Sequence, residues 1–168
     1  MKWLTGFLAC LVSMTLLWAH GNPRGVAEVS IEGKKITIEY GRPQLNGRDL
    51  LSAVDNGFVW RMGADAATTL TLETELISQG VVIPDGSYSL FARKKSERQW
   101  ELLINSATGV HGTQYDEAKN VAVVPLEFEE TDSPVELFTI ELEPAGDGVR
   151  FQMAWGSARL STKLQIRS

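Results

Sequence analysis

The sequence predicts an all-β domain: an antiparallel β-sandwich, jelly-roll or Greek-key-like, of about nine or ten strands with one or two short helical turns. Three observations carry this. Apolar residues alternate with polar ones over most of the chain, the period of a strand with one buried face. Clusters of Gly, Pro and Asp punctuate those runs at short intervals. At 168 residues, 43% apolar and 22% charged, with one cysteine, the chain has a globular composition and needs a packed core rather than a disulfide framework. Strands with one apolar face hide it only by stacking two sheets or closing a barrel.

Taken in order, Ala27, Val29 and Ile31 alternate with Glu28 and Ser30, and Glu32-Gly33-Lys34 turns the chain. Ile36, Ile38 and Tyr40 then alternate with Thr37 and Glu39, so residues 26–42 read as a hairpin. Asp49 to Val54 is a short helical turn, and Thr69-Leu70-Thr71-Leu72 is a strand rich in β-branched residues. Pro84-Asp85-Gly86-Ser87-Tyr88 matches a tyrosine corner, which makes Tyr88 structural. Tyr88–Ala92 and Trp100–Ile104 are strands joined by the charged turn Lys94 to Arg98. Tyr115–Lys119 reads as a second helical turn, and Glu127 to Asp132 as a solvated acidic turn before Pro134. Near the C-terminus Phe138–Leu142, Val149–Trp155 and Leu160–Ile166 alternate, with Pro144 to Gly148 and then Gly156 as the turns between them.

The first residues are an address rather than a fold element. Lys2 precedes an uncharged apolar run from Trp3 to Trp18, and Ala19-His20-Gly21 supplies small residues at a cleavage point. Residues 1–21 therefore read as a signal peptide and 22–168 as a single β-sandwich domain that is exported: periplasmic, envelope-associated or secreted. An uncleaved anchor and a lipid-modified Cys10 are the alternatives. Removing 1–21 leaves no cysteine, His111 as the sole histidine and no membrane span in the mature chain. That inventory argues against cysteine nucleophiles and histidine-built metal sites. With 16 Lys and Arg against 21 Asp and Glu, a net charge of −5, the chain lacks the basic surface that a nucleic acid demands. No cofactor motif is present: there is no phosphate loop, dinucleotide fingerprint or Gly-x-Ser-x-Gly elbow.

Two segments break the alternation. The first, Tyr40 to Thr69, carries Arg42, Arg48 and Arg61 with Tyr40, Trp60 and Asp65. Guanidinium forks suit carboxylates or phosphates and aromatic rings offer flat contact, so convergence of these residues would make a pocket for a small polar or glycan ligand. The competing reading has Arg61 or Arg42 paired with Asp65 or Asp49, and Tyr40 and Trp60 packed in the core. The second segment, Asn105 to Glu117, places His111 near Tyr115, Asp116 and Glu117. His111 could act there as a base or weak metal ligand, but a lone histidine between loop glycines reads more simply as a solvated residue.

Ile38-Glu39-Tyr40-Gly41-Arg42-Pro43, Asn46-Gly47-Arg48-Asp49 and above all Trp60-Arg61-Met62-Gly63-Ala64-Asp65 resemble the domain of unknown function 2911 family of exported bacterial proteins. Ile83 to Phe91, Gly112-Thr113-Gln114-Tyr115-Asp116 and Met153-Ala154-Trp155-Gly156 look like its later blocks, so the resemblance covers roughly residues 26–166. It implies an exported or envelope-associated β protein with no established activity, hence no catalytic residue to carry over. His111 stands where the family has a tryptophan before Gly-Thr-x-Tyr-Asp, which weakens a catalytic role for it. The ligand-binding candidates are therefore Tyr40, Arg42, Arg48, Trp60, Arg61, Asp65, Tyr115 and Asp116. The favoured function is a non-catalytic binding module for a small polar ligand, glycan or envelope component. A sugar hydrolase built on two of Asp65, Asp116 and Glu117, and a purely structural or interaction module, are the alternatives.

Overall fold

The computed structural model describes residues 21–167, so the expected leader, apart from Gly21, lies outside the described residues. The chain opens with a hairpin of β1 (Arg24–Ile31) and β2 (Lys34–Gly41). Glu32 and Gly33 turn it with φ of 52° and 76°, the mirror-image turn whose twist matches that of the strands. The helix α1 (Leu50–Ala53) and the two-residue β3 (Val59–Trp60) follow. Next come β4 (Thr68–Leu72), β5 (Leu76–Ser78), β6 (Val81–Ile83), β7 (Gly86–Ser96) and β8 (Gln99–Asn105). A 3-10 turn at Glu117–Lys119 leads into two long strands, β9 (Asn120–Ala145) and β10 (Gly148–Ile166).

Among the described residues every strand pairing is antiparallel, in the order β1-β2-β4-β7-β8-β9-β10-β5-β6, with β3 added beside β7. The fold is all-β and sandwich-like, but its two sheets are not separate. The first part of β9 pairs β8 up to Leu126, and from Glu127 onward β9 pairs β10. Backbone crowding brings the start of β10 back onto its own end: a Cβ on Gly148 would lie 2.1 Å from the Leu164 carbonyl oxygen. Phe138, Phe151, Met153 and Leu160 from β9 and β10 share one buried cluster with Ile36, Leu70, Leu90 and Leu102 from the first sheet.

Three sequence expectations are corrected, and three short strands were missed. Gly156 does not end a strand. It sits with φ 60° at a bulge inside β10, flanked by register shifts on both sides, and its positive φ is what bends the strand without stopping it. The acidic stretch Glu127–Asp132 is not a turn but part of β9. Its alternate carboxylates face solvent opposite cations, as Glu129 does at 3.8 Å from Arg159. The β7–β8 turn is only Glu97-Arg98, because Lys94 turns inward and is buried. Three strands were invisible in the sequence or nearly so: β3, β5 and β6 are too short for alternation to register.

Tyr88 forms the expected corner, its hydroxyl donating to the carbonyls of Pro84 at 3.0 Å and Asp85 at 3.3 Å. Phe91 and Leu103 alternate with the core residues of β7 and β8 and so point to the opposite face, yet both are buried. Tyr115 covers Phe91, the ring centres lying 4.9 Å apart. This second apolar layer orders the loop that carries Tyr115. Among the described residues no helix is long and apolar enough to cross a membrane.

Candidate functional site

The two segments that break the strand pattern meet. Ala66 and His111 form an isolated antiparallel bridge; Ala67 N–H donates to the Val110 carbonyl at 3.3 Å, and Gly112 N–H to the Asp65 carbonyl at 3.2 Å. The first of these loops turns tightly. Met62, Gly63 and Asp65 take φ of 51°, 149° and 64°, and Thr68 Oγ1 donates to the Met62 carbonyl at 2.6 Å. Left-handed backbone at a buried methionine is costly and persists only where its surroundings enforce it. Here they do. A Cβ on Gly41 would lie 2.2 Å from the Ala64 carbonyl oxygen, and one on Gly112 would lie 2.8 Å from Arg61 Cδ.

The opposite wall follows from β2. Beyond Gly41 the chain pairs with β9: Leu45 N–H donates to the Glu136 carbonyl at 2.8 Å and Phe138 N–H to the Pro43 carbonyl at 3.0 Å. Asp49 then caps α1 at Ser52 N (3.4 Å) and accepts from the amide of Ser157 (3.1 Å) and from its hydroxyl. Buried Lys94 donates to the Val54 carbonyl at 2.8 Å and the Ser52 carbonyl at 3.4 Å, fixing the end of α1 before β3.

These walls enclose a cleft of about 610 Å³. Phe58, Trp60, Phe91, Tyr115 and Trp155 supply its aromatic surface. Trp60 and Trp155 stack 5.5 Å apart at 9°, and Trp60 meets Phe138 edge-on at 4.9 Å. Asn22, Gln44, Asn46 and Thr113 supply uncharged polar groups, and Arg48 and Arg61 supply positive charge. No aspartate or glutamate lines the cleft among the described residues.

Of the eight sequence candidates, the structure brings Arg48, Trp60, Arg61 and Tyr115 together in this cleft and places the other four elsewhere. Tyr40 is buried, and its hydroxyl donates to the Ile140 carbonyl at 3.2 Å and accepts from Ile140 N–H at 3.0 Å. Arg42 is spent on the Phe138 carbonyl (3.1 Å) and Thr139 Oγ1 (3.0 Å). Asp65 accepts from the backbone and side-chain nitrogens of Asn22 at 3.2 and 3.3 Å. Asp116 caps the 3-10 turn through Ala118 N at 3.0 Å.

The anticipated ion pairs of Arg61 or Arg42 with Asp65 or Asp49 do not form. Arg61 instead donates through Nε to the Gly63 carbonyl at 3.2 Å. Arg93, Arg98, Arg150, Arg159 and Arg167 all have carboxylate partners, whereas Arg48 and Arg61 have none among the described residues. Arg93 matters at one remove. Its bonds to Glu117 (2.7 Å) and Glu101 (2.9 Å) raise the guanidinium's proton affinity above its ordinary value and hold the segment just past Tyr115. Tyr115 is positioned further by Asn120 Nδ2, which donates to its hydroxyl at 2.8 Å. His111 is exposed, its Nδ1 3.0 Å from Thr113 Oγ1. No cluster of three or more metal-capable side chains occurs among the described residues.

Sequence reasoning missed Phe91 and Trp155 because an aromatic residue at an alternating strand position is indistinguishable from core, and it missed Phe58 because a single aromatic in the loop before β3 belongs to no pattern. It missed Gln44, Asn46 and Thr113 because uncharged polar residues in loops carry no signal of their own. A family model described as Protein of unknown function (DUF2911) matches residues 22–164. No curated protein and no solved structure matches the chain.

Proposed function

The chain belongs to the DUF2911 family of proteins of unknown function, and we propose that it is a non-catalytic binding module that takes a small polar ligand in the cleft between its two joined loops. The observation that carries this reading is a concave site of about 610 Å³ holding two arginines without carboxylate partners among aromatic and amide side chains. That size and mixture of surfaces is what small-molecule sites have. The leader-like composition of residues 1–21 supports placing this binding outside the cytoplasm.

The hydrolase reading has less support. Glycoside hydrolysis needs two carboxyl groups facing one bond, about 5–9 Å apart. Asp65 is engaged by Asn22, Asp116 caps a turn, and Glu117 pairs with Arg93 at 2.7 Å.

A thermal-shift screen with neutral and acidic monosaccharides, small organic acids and inorganic phosphate tests the binding reading. Binding at a hundredfold excess over Kd raises Tm by about 5 °C or more. Arg61→Ala should abolish that rise while changing the Tm of the unliganded protein by about 3 °C or less. A large fall in Tm with no ligand response from the parent protein would make the module purely structural.

A further inference from the structure

We propose that the occupant of the cleft is an amphiphilic oxyanion: a carboxylate or phosphate monoester carried on an apolar body of aromatic or aliphatic carbon. This rests on the binding reading and narrows its ligand class.

The charge comes first. The chain is acidic overall, at net −5, yet its cleft holds two arginines and, among the described residues, no acidic side chain. Arg61 is half-buried, and its stem lies against Gly112, where a Cβ would come within 2.8 Å of Cδ. Its Nε donates to the Gly63 carbonyl at 3.2 Å, which restrains the plane of the guanidinium, and its two terminal nitrogens have no protein partner among the described residues. A half-desolvated cation held in one orientation without a counter-charge is unfavourable alone and favourable once an oxyanion accepts its fork of donors. Arg48, exposed on the facing segment, adds a second positive charge to the same cleft.

The apolar requirement is independent of the charge. Leu50 and Phe58 are 40% and 41% exposed, and both line the cleft. Large apolar side chains left open beside a charged group are matched by a ligand that has both kinds of surface. A neutral sugar fits less well. Sugars stack on open aromatic faces, and here the two broad indoles are withdrawn: Trp60 and Trp155 are only 7% and 3% exposed and lie face to face, which leaves Phe58 as the exposed ring, beside a cation that a neutral sugar would not compensate.

Isothermal titration of the protein with five probes tests this. 4-Phenylbutyrate and phenyl phosphate carry the two oxyanions on an apolar body. 4-Phenylbutyramide keeps the body without the charge, glucuronate keeps the charge without the body, and glucose has neither. We expect one of the first two to bind, with the better of them identifying the oxyanion. The amide and glucuronate should each bind at least about tenfold more weakly, and affinity should fall with salt. Arg61→Lys should weaken the oxyanion roughly tenfold by losing the fork while keeping charge, and Phe58→Ala should weaken phenylbutyrate but not glucuronate.

Equal binding of phenylbutyrate and its amide, or tighter binding of glucose or glucuronate, overturns the oxyanion-amphiphile class while leaving a polar-ligand module standing. Silence from all five probes overturns the class. Silence extending across the wider thermal-shift screen removes the binding reading as well.

Discussion

Gly33 lies in the turn that opens β2 and Gly41 ends that strand, and the two glycines do different work. At Gly33 an added Cβ meets nothing within 4 Å, so only its φ of 76° resists a side chain. At Gly41 the same atom would strike the Ala64 carbonyl oxygen at 2.2 Å and the Ala64 nitrogen at 3.0 Å, all backbone that cannot step aside. Gly33→Ala should therefore cost about 1 kcal/mol, and Gly41→Ala about 3 kcal/mol or more. Urea unfolding with an unchanged slope measures both, and equal midpoints for the two variants would contradict the close approach. The neighbours of Gly41 show how far single residues were legible. Tyr40 and Arg42 have the chemistry of ligand-binding groups, and their types alone put them among the candidates. The structure gives both to β9, through Ile140, Phe138 and Thr139, because a segment that pairs with a distant strand must satisfy that strand's backbone. No local pattern announces a partner about a hundred residues away in the sequence.

Among elements, β10 shows what alternation conveys and where it fails. Its apolar positions were read correctly from Val149 to Ile166, and Val149, Phe151, Met153, Trp155, Leu160 and Leu164 are buried. Its continuity was not legible, since a glycine between two alternating runs looks the same whether it turns the chain or bulges it. What decides between them is Asp49, far away in sequence. Its carboxylate lies where a Cβ at Gly156 would fall, 2.6 Å away, and it accepts the Ser157 amide at 3.1 Å. The bulge thus anchors the start of α1, and with it the Arg48 side of the cleft. Removing the carboxylate by Asp49→Ala leaves the partly buried Ser157 amide and a helix N-terminus unpaired, at a cost of about 2–3 kcal/mol. The urea midpoint should fall accordingly, and exchange of the Ser157 amide proton should quicken at least tenfold. An unchanged exchange rate there would remove Asp49 as the anchor.

For the molecule as a whole, the two-layer plan was legible because burying one face of each strand is a global demand written into every local run. The cleft was half legible. The sequence named the two loops that build it, but their meeting through Ala66 and His111 depends on backbone bonds that any residue pair can make. The crossing from β6 in one sheet to β7 in the other is the point where the whole architecture can be probed by pH. Tyr88 closes that crossing by donating to Pro84 and Asp85, and burial first, then the Asp85 carboxylate, raises its pKa above 10.0. A phenol with a raised folded-state pKa contributes its full stabilisation below the unfolded value. The contribution is lost as pH climbs through the folded value, because the unfolded chain ionises first. Tyr88→Phe should cost about 1 kcal/mol at neutral pH, with the stability difference from the parent flat up to about pH 9 and shrinking beyond about pH 10. Subtracting the two stability profiles cancels the lysines and the other tyrosines that titrate in the same range. A difference that stays constant or widens through that range would mean that the phenol is not the proton donor holding the crossing, and that the two sheets are joined there by packing alone.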